Sequence, residues 1–233
     1  MITENLATAS NTRALCKECK LFSKCTFPFM RPFIPKNWTG KMLFIGEAPG
    51  EHEDEVSHRP FTGKAGKLLT TEIIPAIPLS MQDVVLVNSV RCRPKNNASP
   101  TMNQLRACRP FLLQVISKLR PEFIVCLGRV ALQTIQNSGV ANITKSRGRR
   151  ITIPEYPQMR AYCTWHPAAI FYTEGYRLKL EIIKDIKNII TPQLESPQIG
   201  LPSGDIIFID TEYSNKVLLT LGIADEKACI AFE

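Results

Sequence analysis

Apolar residues fall into two patterns along this chain. Met42–Gly46, Val84–Asn88 and Phe123–Gly128 are short, nearly unbroken apolar runs, the signature of strands covered on both faces in a parallel sheet. Between them, Lys64–Ile74, Met102–Leu119 and Val130–Gln136 place apolar residues at helical spacing, and Ser99-Pro100 with Thr101 offers a helix start. A fourth strand is predicted near Ala161–Thr164, just ahead of His166-Pro167, and Tyr176–Ile190 has the periodicity of a closing amphipathic helix. The alternation predicts an α/β domain over residues 1–190: a three-layer αβα sandwich around a central, mostly parallel four-stranded sheet.

The flanks read differently. Residues 1–40 include Pro28, Pro32 and Pro35 and are expected to wrap the core as irregular chain. Residues 191–204 concentrate Pro, Ser and Gly, a linker composition. From 205 to 233 a fresh strand, Ile206-Ile207-Phe208-Ile209, and a second around Val217–Ala224 read as the truncated start of another domain. No internal repeat or low-complexity tract is found.

Charge narrows the partners. A formal net charge of +8 on 233 residues favours a polyanion such as nucleic acid. No apolar stretch reaches the length of a membrane span, and MITENLATAS lacks the basic start and apolar run of a secretion signal. A cytoplasmic monomer that avoids membranes is expected. In a reducing compartment, eight cysteines with a C-x-x-C pair point to a metal or cluster rather than disulfides. Cys16 and Cys19 would supply two thiolates from one tight turn, and Cys92 and Cys108 the others, as ligands for an iron–sulfur cluster or a structural zinc. Cys126 and Cys163 lie inside apolar runs and read as buried core thiols.

Ordered blocks then carry a resemblance. Gly46-Glu47-Ala48-Pro49-Gly50, with Glu53-Asp54, is followed by Pro60-Phe61-x-Gly63-x-Ala65-Gly66-x-Leu68-Leu69, and by Asn88-x-x-x-Cys92-Arg93-Pro94 with Asn97 and Pro100. Cys108-Arg109-Pro110-Phe111-Leu112, Leu127-Gly128 with Ala131, and His166-Pro167 complete the series. Over residues 14–190 the chain resembles family 4 uracil-DNA glycosylases, which hydrolyse the N-glycosidic bond of a flipped-out uracil in base-excision repair. The resemblance implies a [4Fe–4S] cluster on Cys16, Cys19, Cys92 and Cys108. It implies base contacts from Ala48, Phe61 and Asn88: Phe61 stacking on the base, Asn88 donating to uracil O4 and accepting from N3–H. His166 would stabilise the departing base through O2. Glu47, Glu53 and Asn97 match positions that place or activate water and fit the base. Ile170 and Phe171 match a loop that wedges into duplex DNA.

Two departures stand out. Ala98 takes the place of a usual arginine, and the loop between Asp54 and Phe61 holds an extra residue, with His58 in it. Beyond the linker, Ile207-Phe208-Ile209-Asp210-Thr211-Glu212 resembles the first motif of DnaQ-like 3′–5′ exonucleases of ribonuclease H-like fold. That order resembles some phage DNA polymerases. It implies, as an alternative, a non-catalytic or uracil-sensing DNA-binding module joined to the remainder of a polymerase polypeptide, in a bacterial or phage-infected cell.

Overall fold

The computed structural model describes residues 10–172, 175–191, 208–214, 217–224 and 229–232. The chain divides into two compact units, Met1–Thr191 and Pro192–Glu233.

In the first unit the elements run α1 (Ser10–Cys19), β1 (Met42–Gly46), α2 (Lys64–Leu68), β2 (Val84–Asn88), α3 (Met102–Leu119), β3 (Phe123–Leu127), α4 (Gly128–Gln136), α5 (Ile143–Ser146), β4 (Arg150–Ile151), β5 (Arg160–Thr164) and α6 (Gly175–Ile190). The sheet order is β2-β1-β3-β5-β4. The first four strands are parallel and β4 pairs antiparallel with β5. The sheet thus has five strands rather than the four expected. A two-residue edge strand is too short to leave a hydrophobic pattern.

Side chains alternate across the sheet. From β1, Leu43 and Ile45 pack with Leu112 and Ile116 of α3 and Leu132 of α4. Met42 and Phe44 pack on the opposite face with Ile73, and with Ile182 and Ile186 of α6. All four β1 side chains are fully buried, which is why the run is apolar at every position. Thr101 starts α3 with a capping box: its hydroxyl accepts from Gln104 N, and the Gln104 side chain accepts from Thr101 N at 2.9 Å.

Two expectations are corrected. Residues 10–19 form a helix, so Cys16 and Cys19 lie one helical turn apart rather than in a tight turn of irregular chain. Their Ala, Leu, Lys and Glu neighbours are good helix formers, and the prolines that suggested irregularity all lie further on. The predicted helix Lys64–Ile74 is α only to Leu68, continues as a π turn, Leu69–Ile73, and closes as a 3₁₀ turn, Ile74–Ala76, with Pro75 at its start.

In the second unit, Phe208–Ser214 (β6), Val217–Ala224 (β7) and Cys229–Phe232 (β8) form an antiparallel sheet in the order β6-β7-β8. Asp210 and Glu212 lie two residues apart on β6, opposite Gly222 and Thr220. The expected linker from residue 192 on, and the start of the strand at 206–207, lie outside the described residues.

Candidate base-binding cleft and thiol cavity

The chain leaves β1 to build β2 on one side, then crosses to build β3 on the other, so the strand order reverses at β1. Ligands of open α/β sheets bind outside the carboxyl ends of strands at such a point. Here a cleft of about 680 Å³ opens, lined by the loops after β1, β2 and β5. Glu47, Ala48, Glu53, Phe61, Asn88, Asn97 and His166 all line it. Ile170 and Phe171 do not.

The floor is Gly46, Asn88 and Phe61. A Cβ on residue 46 would stand 2.5 Å from Asn88 Oδ1 and 2.7 Å from Phe61 Cζ, so only glycine lets these side chains close over the strand end. Asn88 is 9% exposed, and among the described residues its carboxamide has no hydrogen-bond partner. Facing the cleft, the amide is free to pair with a ligand there.

His166 follows β5. The Ala168 backbone N–H donates to its Nδ1 at 3.1 Å. Nδ1 therefore carries no proton, and in the neutral ring Nε2–H is the free donor. Burial pushes the imidazolium pKa down to about 4. The flanking residues are braced: Thr164 Oγ1 donates to Asp185 at 2.6 Å and Trp165 Nε1 to Glu181 at 2.9 Å. Arg147 bridges both acids of α6. Gly128, at φ +85°, lies where a Cβ would meet His166 Cβ at 2.8 Å.

The loop after β1 contains a π-helical turn, Glu53–Ser57, closed by His58 at φ +53°. Its first two acids face different structures. Glu53 accepts from Gly50 N at 3.1 Å, Thr62 N at 3.1 Å and Gly63 N at 2.8 Å. Its carboxylate thus ties together both ends of the loop that carries Phe61. Asp54 accepts from Thr26 N at 3.0 Å and Phe27 N at 2.8 Å, fastening the N-terminal wrap. The His58 ring stacks on Phe27.

Asn97 has its side-chain oxygen taken by Arg93 Nε at 2.8 Å, and Arg93 also meets Glu51 and Glu55. Ala98 lines the cleft beside it. Ile170 is half-buried against the core, whereas Phe171 is 52% exposed. Tyr172, 85% exposed, lines the cleft mouth. It falls just beyond the matched motif, and an isolated exposed tyrosine gives no periodic signal.

A second, much smaller cavity, of about 30 Å³, is lined by Cys16 and Cys19 of α1, Cys92 and Cys108, with Arg91, Phe29 and Phe111 among its walls. Burial pushes the Cys108 thiol up to about 12 and raises those of Cys16 and Cys92. Among the described residues, no three His, Cys, Asp or Glu side chains converge closely enough to hold a single metal ion. Four thiols on the walls of one largely apolar cavity are a donor set that suits a thiolate-ligated metal centre. Cys126 and Cys163 sit in the core, opposite each other in β3 and β5.

The parallel α/β sheet thus carries at its strand ends a cleft lined by an aromatic ring, a carboxamide without a protein partner and a histidine whose Nδ1 is already taken. Residues 35–187 match the model of the uracil DNA glycosylase superfamily. The chain is 37% identical over 184 residues to the type-4 uracil-DNA glycosylase of Saccharolobus solfataricus, covering 76% of this chain and 82% of that protein. It is 34% identical over 180 residues to the type-4 enzyme of Archaeoglobus fulgidus, covering 75% and 86%, and 36% identical over 151 residues to that of Thermotoga maritima, covering 65% and 77%. The chain belongs to the uracil-DNA glycosylase superfamily, among relatives of type 4.

Proposed function

We propose that this protein is a DNA N-glycosylase that hydrolyses the bond between uracil and deoxyribose. The observation that carries the reading is Asn88, a nearly buried carboxamide without a partner, on one floor with the Phe61 ring and near a neutral histidine. The amide fits uracil edge-on, donating to O4 and accepting from N3–H, and cytosine presents the opposite pattern. Phe61 stacks on the face of the extruded base, and Ala48 leaves room beside it.

As the glycosidic bond breaks, its electron pair passes to the base, and the His166 Nε2–H donates to O2 where charge develops. The neutral ring suits this role, because it gives a hydrogen bond without surrendering a proton. Water, placed by Glu47 and the free NH₂ of Asn97, adds to the sugar carbon, and the proton it loses ends on the departed uracil anion. Glu53, saturated by three backbone N–H groups, acts by holding Phe61 in place. Phe171 and Tyr172 take the wedge position, with Ile170 packed behind them.

Cys16, Cys19, Cys92 and Cys108 hold a [4Fe–4S] cluster in this reading. When bound, it would supply a cross-link between α1, the loop after β2 and α3, and no chemistry at the glycosidic bond.

A second reading keeps the cleft for binding alone. Ala98, where relatives usually place arginine, favours it, as does a separate C-terminal unit whose first strand carries Asp210 and Glu212 like the opening of an exonuclease domain. Single-turnover release of uracil from an oligonucleotide with one deoxyuridine tests the two. Abasic product is expected from the glycosylase, and tight DNA binding without release from a polymerase-associated module.

A further inference from the structure

Among the described residues, Arg91 is the one lining the thiol cavity that carries a full positive charge. It sits in the loop that links Asn88 to Cys92. Its guanidinium donates from Nε to Met30 O at 3.1 Å and from a terminal nitrogen to Phe29 O at 2.6 Å, and it lies 3.7 Å from the centre of the Phe111 ring. Two backbone carbonyls and an aromatic face fix its position. None of them cancels its charge.

Among the described residues no carboxylate pairs with the half-buried Arg91, whereas the buried Arg109 is paired with Glu155. A partly desolvated cation is more favourable with a counter-charge beside it than without one. The thiols of Cys16, Cys19, Cys92 and Cys108 share the cavity wall with Arg91. As thiols they are neutral. They become anions only when they ligate a metal centre, because the thiolate is the ligand. Four thiolates on an iron–sulfur core leave the whole assembly net negative.

We propose that Arg91 is the built-in counter-ion of the iron–sulfur cluster, a proposal that rests on the reading that these four cysteines carry one. A fixed cation beside an anionic centre stabilises the more reduced form, which carries one more negative charge. It therefore raises the reduction potential and makes oxidation of the resting cluster harder. Lysine would keep the charge while losing the stacking on Phe111 and the two-carbonyl grip. Glutamine and methionine would remove it.

The test uses anaerobically purified full-length protein, wild type and the variants R91K, R91Q and R91M. Iron and acid-labile sulfide per chain, the midpoint potential by voltammetry and the bleaching of visible absorbance under ferricyanide are measured, with far-UV circular dichroism as a check on folding. R91Q and R91M are expected to show a more negative potential and faster bleaching, and R91K to stay near wild type. Two neutral variants are made because either one, if folded, suffices. Neutral variants with the wild-type potential, or an R91K as shifted as they are, would overturn the counter-ion role while leaving the cluster reading intact. Wild-type protein without iron and sulfide would overturn both.

Discussion

The Asn88 side-chain oxygen occupies the space a side chain on residue 46 would need: a Cβ there would lie 2.5 Å from Asn88 Oδ1. Gly46→Ala must therefore displace the carboxamide, the Phe61 ring, or both. Each is the far end of a side chain, so the sheet should survive. Single-turnover uracil excision is expected to fall by about 10²-fold, the cost of misplacing a contact by about 1 Å, with the thermal midpoint little changed. Wild-type excision would mean that the floor does not touch the base.

Asn88→Asp tests the polarity of the same contact. A carboxylate accepts only, so it would face the O4 acceptor of uracil with another acceptor. Excision is expected to drop on the order of 10⁴-fold, the penalty for a mismatched buried hydrogen bond, while DNA binding through phosphate contacts persists. Gel-shift affinity measured beside the excision rate separates the two.

His166 makes a prediction in pH. With its folded pKa pushed down to about 4 by burial, the ring is neutral across the ordinary range. The acid limb of excision attributable to it is expected near pH 4. Between its ordinary value of 6.5 and about 4, the unfolded chain binds a proton that the folded chain does not. Its contribution to stability is thus fully present above 6.5 and is lost as pH falls toward 4. Denaturant titrations of wild type and His166→Gln across this window are expected to differ in slope, with only the wild type losing this contribution. A wild-type acid limb near 6.5 would instead indicate a solvated ring.

Glu53→Gln replaces one acceptor oxygen with a donor that faces a backbone N–H. Stability is expected to fall by about 1–3 kcal/mol, and KM to rise more than kcat falls as the Phe61 loop loosens. A loss confined to kcat, with the thermal midpoint unchanged, would return Glu53 to the chemical step.

Much of this was legible in the sequence, for identifiable reasons. The strands β1, β2 and β3 announced themselves because each is buried on both faces, which leaves no polar position to blur the run. Seven residues of the cleft could be named because the loops that carry them hold ordered motifs resembling those of a known family. What hydrogen bonds they already make could not be named. Glu53 reads by resemblance as a residue that places water or fits the base, and only the fold brings Gly50, Thr62 and Gly63 N–H groups around it. Asn97 likewise looks free until Arg93 is seen to hold it. Helix α1 was hidden by the prolines downstream, and β4 by its length. Arg91 gave no signal, since one arginine in a basic chain is unremarkable until it is found among thiols without an acid.

Glu53 and Asp54 are neighbours on one π-helical turn, the first tying the loop around the cleft and the second fastening the wrap at Thr26 and Phe27. For protein engineering, the wrap and this loop are inherited as a single cassette. A chimera that takes residues 16–30 from one relative and residues 50–63 from another would inherit mismatched halves of one joint. Swaps between homologues should therefore cut outside both segments and exchange them together.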